Sequence, residues 1–350
     1  MEPVTAQVIP KERVGQWIEQ LMAEAEVIAP VLAHGGDEVF APIHSPGEVL
    51  WEFNNPLQPP KQFLLPQTDP IVAIRRRGNG YELEAVVDER RRVLFNVRSC
   101  DVTGLAFLRR MHAADLPDDS YLRRESAVTI ISLACSQPCP LGFCICSGAG
   151  PFAREGYDVQ LSDLGDRLLA EPGSEHGQEL LAAAGALFRP ATSDELAQRY
   201  ELEEQAKQRF GEQTCHFASA MRRISTGRVP EELWTEMSDW CLECGACNFI
   251  CPTCYCFSVN DRHNGDGWVR CRTWDSCQYP AFTLEASGHN PRGERKDRMK
   301  RRFFHKVSAQ YYQRDGVVGC VGCGRCVEVC LGTTDMPAVV AAIRKGEWHG

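Results

Sequence analysis

Two short runs of this sequence each hold four cysteines within eleven residues, CLECGACNFIC and CVGCGRCVEVC. Both have the spacing Cys-x2-Cys-x2-Cys-x3-Cys; the members are Cys241, Cys244, Cys247 and Cys251 in the first run and Cys320, Cys323, Cys326 and Cys330 in the second. Three thiolates at this spacing can wrap one turn of chain around a cubane corner. Glycines within the runs, Gly245, Gly322 and Gly324, let the backbone approach the sulfides without a Cβ in the way. The runs therefore predict iron-sulfur clusters.

The ligands of the two clusters are expected to be crossed between the runs. In bacterial two-cluster ferredoxins, which share this spacing, the fourth cysteine of each run binds the other cluster. We expect one 4Fe-4S cluster on Cys241, Cys244, Cys247 and Cys330, and another on Cys320, Cys323, Cys326 and Cys251. Zinc knuckles are the alternative, but they need two well-separated Cys-x2-Cys pairs. Leu331 replaces the proline expected after the last cysteine, which affects the exit of the chain rather than a ligand.

A third group of cysteines lies earlier, at or just after predicted strands. Its members are Cys100, Cys135, Cys144 and Cys146. Loops at the ends of neighbouring strands can converge on one metal centre, so this group predicts a third iron-sulfur cluster. Ordinary buried thiols are the alternative. Cys139 is a fifth member that could substitute for one of the four, and the sequence does not choose between them.

The remaining cysteines are interpreted mainly as packing. Four lie close to the first run, at Cys254, Cys256, Cys271 and Cys277. They could be additional ligands, but thiols near a cluster often shield it from water. Cys215 is expected to be a core thiol, because it and His216 point apart if both lie on a helix.

A basic stretch precedes the second run. Residues 292–314 contain nine lysines and arginines and two acids. One interpretation is a solvated helix face. The other is electrostatic, because thiolate-bound clusters are anionic and nearby cations would stabilise their reduced state or dock an acidic partner.

The strands and helices expected around these cysteine groups indicate an α+β fold. Short apolar runs such as Val93 to Val97 and Val128 to Ala134 alternate with helical patterns such as Val102 to Met111. We expect an N-terminal α/β domain over residues 1–190 and a helical connector over 191–240, with one helix from Asp194 to Ile224 capped by Ser193. Residues 241–350 are expected to form a ferredoxin-like two-cluster domain with a long insertion between the runs. Glycine and proline there are expected to prevent long regular elements.

Composition narrows the function further. The chain is 43% hydrophobic and 24% charged with a net charge of -9, which argues against nucleic-acid binding. It has no apolar run of membrane-spanning length and no export leader, so we expect a cytoplasmic protein without a membrane segment. Its 18 cysteines are too tightly spaced for a disulfide framework. No nucleotide-binding glycine motif is present. Clusters without a visible substrate site, and no candidate catalytic residue, predict an electron relay between centres on other subunits.

Several stretches together resemble a known family. They are CLECGACNFICPTCYCFSVND, RTWDSC, GHNPRGERKDRMKRRFFHK and GCVGCGRCVEVC, with QFLLPQTDPIVAIRR, VRSCDVTGLAFL and the segment from LAC to CICSGAG upstream. The sequence resembles the dicluster iron-sulfur subunit shared by soluble NAD(P)-linked nickel-iron hydrogenases, the sulfhydrogenase beta subunit, and by anaerobic sulfite reductase, its A subunit. The resemblance covers nearly the whole chain from about Ala29.

This resemblance implies a non-catalytic, electron-transfer subunit of an oxidoreductase complex. A flavin subunit would exchange hydride with NAD(P)H, and this chain would carry electrons to or from the small and large subunits of a nickel-iron hydrogenase. The alternative is the same relay to a sirohaem sulfite reductase subunit. The family's cysteine pattern carries over onto both runs and onto Cys100, Cys135, Cys144 and Cys146. It also matches Cys254, Cys256 and Cys277. A different class of function, in which metal only holds the fold, would predict no redox activity.

Overall fold

The computed structural model describes residues 6–212, 214–265 and 267–349. The first part of the chain contains β1 (Gln7–Pro10), α1 (Lys11–Glu24), β2 (Glu26–Leu32), β3 (Glu38–Pro42), β4 (Thr68–Arg77), β5 (Gly80–Ala85), β6 (Arg92–Val97), α2 (Ser99–Ala113), α3 (Asp119–Ser126), β7 (Val128–Leu133), β8 (Val159–Asp163), β9 (Arg167–Pro172), α4 (Glu175–Ala183) and β10 (Arg189–Pro190). The second part contains α5 (Ser193–Arg209), α6 (Phe217–Ser225), α7 (Glu231–Asp239), α8 (Ala246–Phe249), β11 (Phe257–Asn264), β12 (Gly267–Trp274), α9 (Arg295–Val307), α10 (Ala309–Asp315), α11 (Arg325–Val329) and α12 (Met336–Lys345).

An eight-stranded sheet forms the centre of the first part, in the order β10-β1-β9-β8-β7-β6-β2-β3. Strands β2, β6, β7 and β8 run parallel. Every residue of β6 is buried, as expected for a strand covered on both faces. Because parallel strands end at one edge, the segments that follow β6 and β7 lie side by side. Cys100 and Cys135 belong to these two segments.

Helices cover both faces of this sheet. On one face, Trp17 and Ile18 of α1 pack with Phe95 of β6. On the other face, Leu105 and Leu108 of α2 belong to a second cluster of buried residues. Helix α2 begins directly after β6, so its first turn, which carries Cys100, is held at the carboxyl edge of the sheet.

A smaller antiparallel sheet joins distant parts of the chain in the order β11-β12-β4-β5. Strands β11 and β12 come from the insertion between the two cysteine runs, whereas β4 and β5 precede the parallel core strand β6. A buried ion network fixes this junction: Asp69 lies 2.6 Å from an Nη of Arg124 and 2.7 Å from an Nη of Arg272. The insertion therefore packs on the N-terminal half instead of forming a separate lobe.

Four helices of the second part share a core. Helices α6, α7, α9 and α12 enclose Trp234, Met237, Phe303, Val339 and Ile343. The second cysteine run lies between α10 and α12, and its Cys320 and Cys326 pack against this helical core. Within the described residues, no helix combines the length and the apolarity needed to cross a bilayer.

The α+β prediction is confirmed, with three differences in detail. The single helix expected from Asp194 to Ile224 is instead two helices, α5 and α6, and Gly211 between them adopts a φ of 69°. The N-cap is Thr192, which forms a capping box with Glu195, and not Ser193. The expected lack of long elements after residue 241 was wrong, since β11 and β12 have eight residues each and α9 has 13.

Candidate metal centres

The second cysteine run and one cysteine of the first run surround a single small cavity. Its lining includes Cys320, Cys323, Cys326 and Cys251. Cys251 belongs to the first run, 69 residues before Cys320 in sequence. The structure thus groups the four thiols that the crossed arrangement assigns to one cluster. The assignment of these thiols as ligands remains a prediction.

Glycines in the second run allow close packing against another loop. Gly322 and Gly324 have φ values of 65° and 82°. A Cβ on Gly322 would lie 2.5 Å from the carbonyl oxygen of Phe143, and one on Gly324 would lie 2.4 Å from that of Leu141. The Phe143 amide donates to the Gly322 carbonyl at 2.7 Å. These glycines therefore let the second run contact the loop that carries Cys139 and Cys144.

The first run approaches the last cysteine of the second run. The thiols of Cys241 and Cys247 both interact electrostatically with that of Cys330. The turn after Cys330 is pressed against the start of the first run, since a Cβ on Gly332 would lie 1.9 Å from the carbonyl oxygen of Trp240. Cys244 lies in the exposed loop before α8. Leu331, at the unusual position after the run, is 87% exposed.

The N-terminal cysteines surround a second small cavity. It is lined by Cys100, Cys135, Cys139 and Cys144, together with Cys323 of the second run. Cys146 lies elsewhere: its Sγ accepts a hydrogen bond from the Cys215 amide at 3.4 Å, and it packs against the helical core. The structure therefore brings three of the four predicted residues together with Cys139, the fifth member of the group, and leaves Cys146 outside the cavity.

A buried ion pair holds the N-terminal cysteines against the second run. Asp101 follows Cys100, and Arg325 lies between Cys323 and Cys326. The guanidinium of Arg325 donates to both carboxylate oxygens of Asp101, at 2.6 and 2.8 Å. The two residues are 1% exposed or less. Because such a pair is costly to bury unless every donor is satisfied, its geometry fixes how the two cysteine groups meet.

Buried cations on α9 face the first and second cysteine groups. Arg298, Arg302 and Lys306 recur every four residues, so they lie on one face of the helix, and all three are buried. Arg302 interacts electrostatically with Cys247 and Cys326, one thiol from each run. The solvated-face interpretation of the basic stretch therefore fails for these three residues.

Lys306 and Lys61 approach the backbone around Cys251. The Nζ of Lys306 donates to the Thr253 carbonyl at 3.0 Å, and that of Lys61 donates to the Cys251 carbonyl at 2.7 Å. Burial lowers the pKa of Lys61 to about 8, against the opposing influence of the Cys254 and Cys251 thiols. Burial also acts on Lys306, but the same two thiols outweigh it and raise its pKa.

The donors and charges of these sites fit thiolate-bound iron-sulfur clusters. Burial raises the pKa of Cys247 and of Cys323 to about 12, so these thiols need a strong positive centre to ionise. Iron supplies such a centre, and Arg302 and Lys306 offset the net negative charge that remains. Among the described residues, no three His, Cys, Asp or Glu side chains lie close enough to hold one ion. A cubane instead takes each thiolate on a separate iron.

An open cleft lies beside the N-terminal cysteines. Its volume is about 910 Å³, and Cys135 and Cys139 line both this cleft and the small N-terminal cavity. Arg98, Leu133 and Asp163, which lie at the carboxyl ends of β6, β7 and β8, also line it. The cleft therefore connects the N-terminal cysteine group to the protein surface.

Sequence reasoning missed four residues that contact these centres. Lys61 lies in a 3-10 turn, Pro60–Phe63, and Asn55 lies in a loop, both without any motif. The side-chain amide of Asn55 donates to the Cys100 Sγ at 3.1 Å. Asp101 could have been noticed, because it directly follows Cys100 in the sequence. Its partner Arg325 is likewise enclosed by motif cysteines.

The structure also shows the surroundings of the cysteines outside the three groups. Cys254 contacts Cys251, and Cys256 contacts Cys277. Cys271 is buried on β12, and Cys215 is a core thiol, as expected, at 2% exposure.

Two comparisons with known proteins agree with this geometry. Residues 240–334 match a protein family described as "4Fe-4S dicluster domain". This match confirms the prediction of two 4Fe-4S clusters. Over 338 residues, the chain is 30% identical to the sulfhydrogenase 2 subunit beta of Pyrococcus furiosus, covering 95% of this chain and 96% of that protein. The chain therefore belongs to the family of the sulfhydrogenase beta subunit and carries its two clusters in a C-terminal 4Fe-4S dicluster domain.

Proposed function

We propose that this chain is a non-catalytic electron-transfer subunit that relays single electrons between a flavin subunit using NAD(P)H and a nickel-iron hydrogenase module in the cytoplasm. The hydrogenase partner follows from the name of its relative, a sulfhydrogenase subunit. Each bound 4Fe-4S cluster would accept and release one electron. The remaining argument concerns what the chain itself does to position and tune these clusters.

The observation that best supports a relay is that the cysteine groups form a continuous line, in which each group adjoins the next. Cys323 lines both the N-terminal cavity and the cavity of the second run. Arg302 then interacts electrostatically with thiols of the second run and of the first. A sequence of neighbouring redox centres is what a relay requires, whereas a structural metal site needs only one closed set of ligands.

Both ends of this line reach the surface. At one end, Cys135 and Cys139 line the open cleft. At the other end, Cys244 is exposed, and three large apolar side chains near the first run are also exposed: Trp240 at 51%, Leu242 at 64% and Leu331 at 87%. Exposed apolar groups beside a redox centre favour docking of another protein. We therefore place one partner at each end of the line.

Elemental analysis tests the hydrogenase assignment. The native complex, purified anaerobically through a tag on this chain, should contain nickel together with iron and flavin. Iron accompanied by sirohaem bands in the visible spectrum, without nickel, would instead assign the relay to a sulfite reductase. Failure of dithionite to bleach the clusters would contradict any relay.

The N-terminal group is proposed to hold a third cluster on Cys100, Cys135, Cys144 and Cys139. Since Cys146 lies against Cys215 and not in the cavity, the two candidate fourth ligands can be separated by substitution. Cys139→Ser should lower the iron content by about four per chain in the anaerobically reconstituted protein. Cys146→Ser, the matched control, should leave it unchanged. The opposite pattern would return the fourth position to Cys146, and no loss in either variant would remove the third cluster.

Arg302 is predicted to raise the potentials of the neighbouring clusters, because its buried charge favours the more negative reduced state. Arg302→Met should lower at least one midpoint potential by roughly 60 mV, the equivalent of about 1.4 kcal/mol for one electron. Lys300→Met, on the same helix but 42% exposed, should change the potentials by less than about 10 mV because water screens its charge.

EPR-monitored redox titration measures this shift. Arg302→Lys keeps the charge and should restore most of the potential, which separates an electrostatic effect from a packing defect. Equal potentials in the Arg302→Met variant and the wild type would show that the buried guanidinium has no electrostatic role.

A further inference from the structure

Two cysteines outside the cluster groups meet at the end of a hairpin. Cys256 precedes β11 and Cys277 follows β12, whose pairing aligns Phe257 with Trp274. The amide of Asp275 donates to the Cys256 carbonyl at 2.9 Å, which extends the pairing by one residue. Cys256 and Cys277 line the same cleft, their thiols interact, and both are free thiols.

The two thiols differ in their surroundings. Cys277 Sγ accepts hydrogen bonds from the side-chain amides of Asn248 at 3.1 Å and Gln278 at 3.6 Å. The neighbouring Cys256 thiol lowers the pKa of Cys277 most, and the two amide donors lower it further. The same interaction and burial raise the pKa of Cys256. A thiolate beside a protonated thiol is the arrangement of dithiols that exchange with disulfides.

An open cleft of about 280 Å³ gives access to this pair. Both cysteines line it, together with two arginines and several aromatic residues: Arg292, Arg301, Tyr255, Phe257 and Phe282. Guanidinium groups beside aromatic rings suit a carboxylate-bearing, partly apolar ligand.

Short contacts connect the pair to Cys247 and Cys251 of the first run, which the crossed arrangement assigns to different clusters. The Asn248 side chain that donates to Cys277 also accepts from Cys247 Sγ at 3.7 Å. On the other side, Cys254 lies two residues before Cys256 and contacts Cys251. Reduction of a disulfide takes two electrons, and the two neighbouring clusters each supply one.

We propose that Cys256 and Cys277 are a redox-active dithiol that reduces organic disulfides carrying carboxylates. The Cys277 thiolate attacks one sulfur of the substrate, forming a mixed disulfide and releasing the first thiolate. The Cys256 thiol then attacks Cys277 Sγ, releasing the second thiolate and a proton and leaving a Cys256–Cys277 disulfide. Two electrons from the clusters and one proton restore the thiolate and the thiol. The net reaction adds two electrons to one disulfide and yields two thiolates.

The electron supply in the last step rests on the relay proposed above, so the test measures thiol exchange and cluster oxidation separately. In the native complex, clusters are reduced with dithionite, the excess is removed, and DTNB, an aromatic disulfide with two carboxylates, is added anaerobically. Peptide mass spectrometry locates modified cysteines, and EPR follows the reduced clusters. We expect no stable adduct on the wild-type pair and loss of the reduced-cluster signal.

In variants of the pair, the reaction with DTNB should stop at defined stages. Cys256→Ser should retain one DTNB-derived thiol on Cys277, because the resolving thiol is missing, and its clusters should stay reduced. Cys277→Ser should slow cluster oxidation by DTNB by about tenfold or more. Cys271→Ser, in the same hairpin but outside the cleft, should behave as the wild type.

Two outcomes would overturn the proposal. Loss of iron in Cys256→Ser or Cys277→Ser would make these residues metal ligands. Absence of any adduct on Cys277 in the Cys256→Ser complex would make them inert thiols. If that adduct forms while the wild-type clusters stay reduced, the dithiol exchanges but the proposed electron supply from the relay is wrong.

Discussion

The buried ion pair between Asp101 and Arg325 is the contact on which the arrangement of the redox centres depends. Arg325 is buried at 1% exposure, and its remaining donors are taken up by the Pro56 carbonyl at 2.7 Å and the Asn55 side chain at 2.9 Å. A buried pair with one partner removed leaves an uncompensated charge that costs about 3–5 kcal/mol. These hydrogen bonds hold the second run against α2. In this arrangement Cys323 lies beside Cys100 and Cys144.

A second constraint comes from the charge that the clusters would bring into the interior. Thiolate-bound clusters are anionic, and an uncompensated charge is unfavourable in a medium of low polarity. Buried cations of this chain compensate that negative charge. Arg302 and Lys306 come from α9, and Lys61 comes from the loop before β4, where it also lies over the Trp274 ring at 4.3 Å. The insertion between the runs therefore has an electrostatic role, since it supplies two of these three charges.

The sequence predicted most features that depend on neighbouring residues, and few contacts between residues that lie far apart in the chain. The two cysteine runs could be predicted as cluster sites from the sequence, because four ligands within eleven residues stay close together whatever the fold. Strands β6 and β7 are equally clear, because burial on both faces gives continuous apolar runs. Strand β11 was missed because most of its residues are exposed and polar, so it has no alternating apolar pattern. The inward orientation of Arg302 was not decidable, because its partners lie about 55 residues before it and 24 after it.

The choice between Cys139 and Cys146 shows the same limit. Both lie within a few residues of Cys144, and either spacing suits a loop ligand. What separates them is the 3-10 turn at Cys144–Ser147, together with the contact of Cys146 with the Cys215 amide. That contact depends on the position of the segment before α6, which carries Cys215, relative to the loop that carries Cys146. No pattern along the sequence encodes the relative position of two segments so far apart.

We propose that the two runs exchange their fourth cysteines and so bring their clusters side by side. EPR of the reduced Cys251→Ala protein, with iron counted in the same sample, tests this exchange. The cluster built on Cys320, Cys323 and Cys326 should be lost or converted, while the signal of the first-run cluster should remain. A change confined to the first-run cluster would show that each run binds its own cluster.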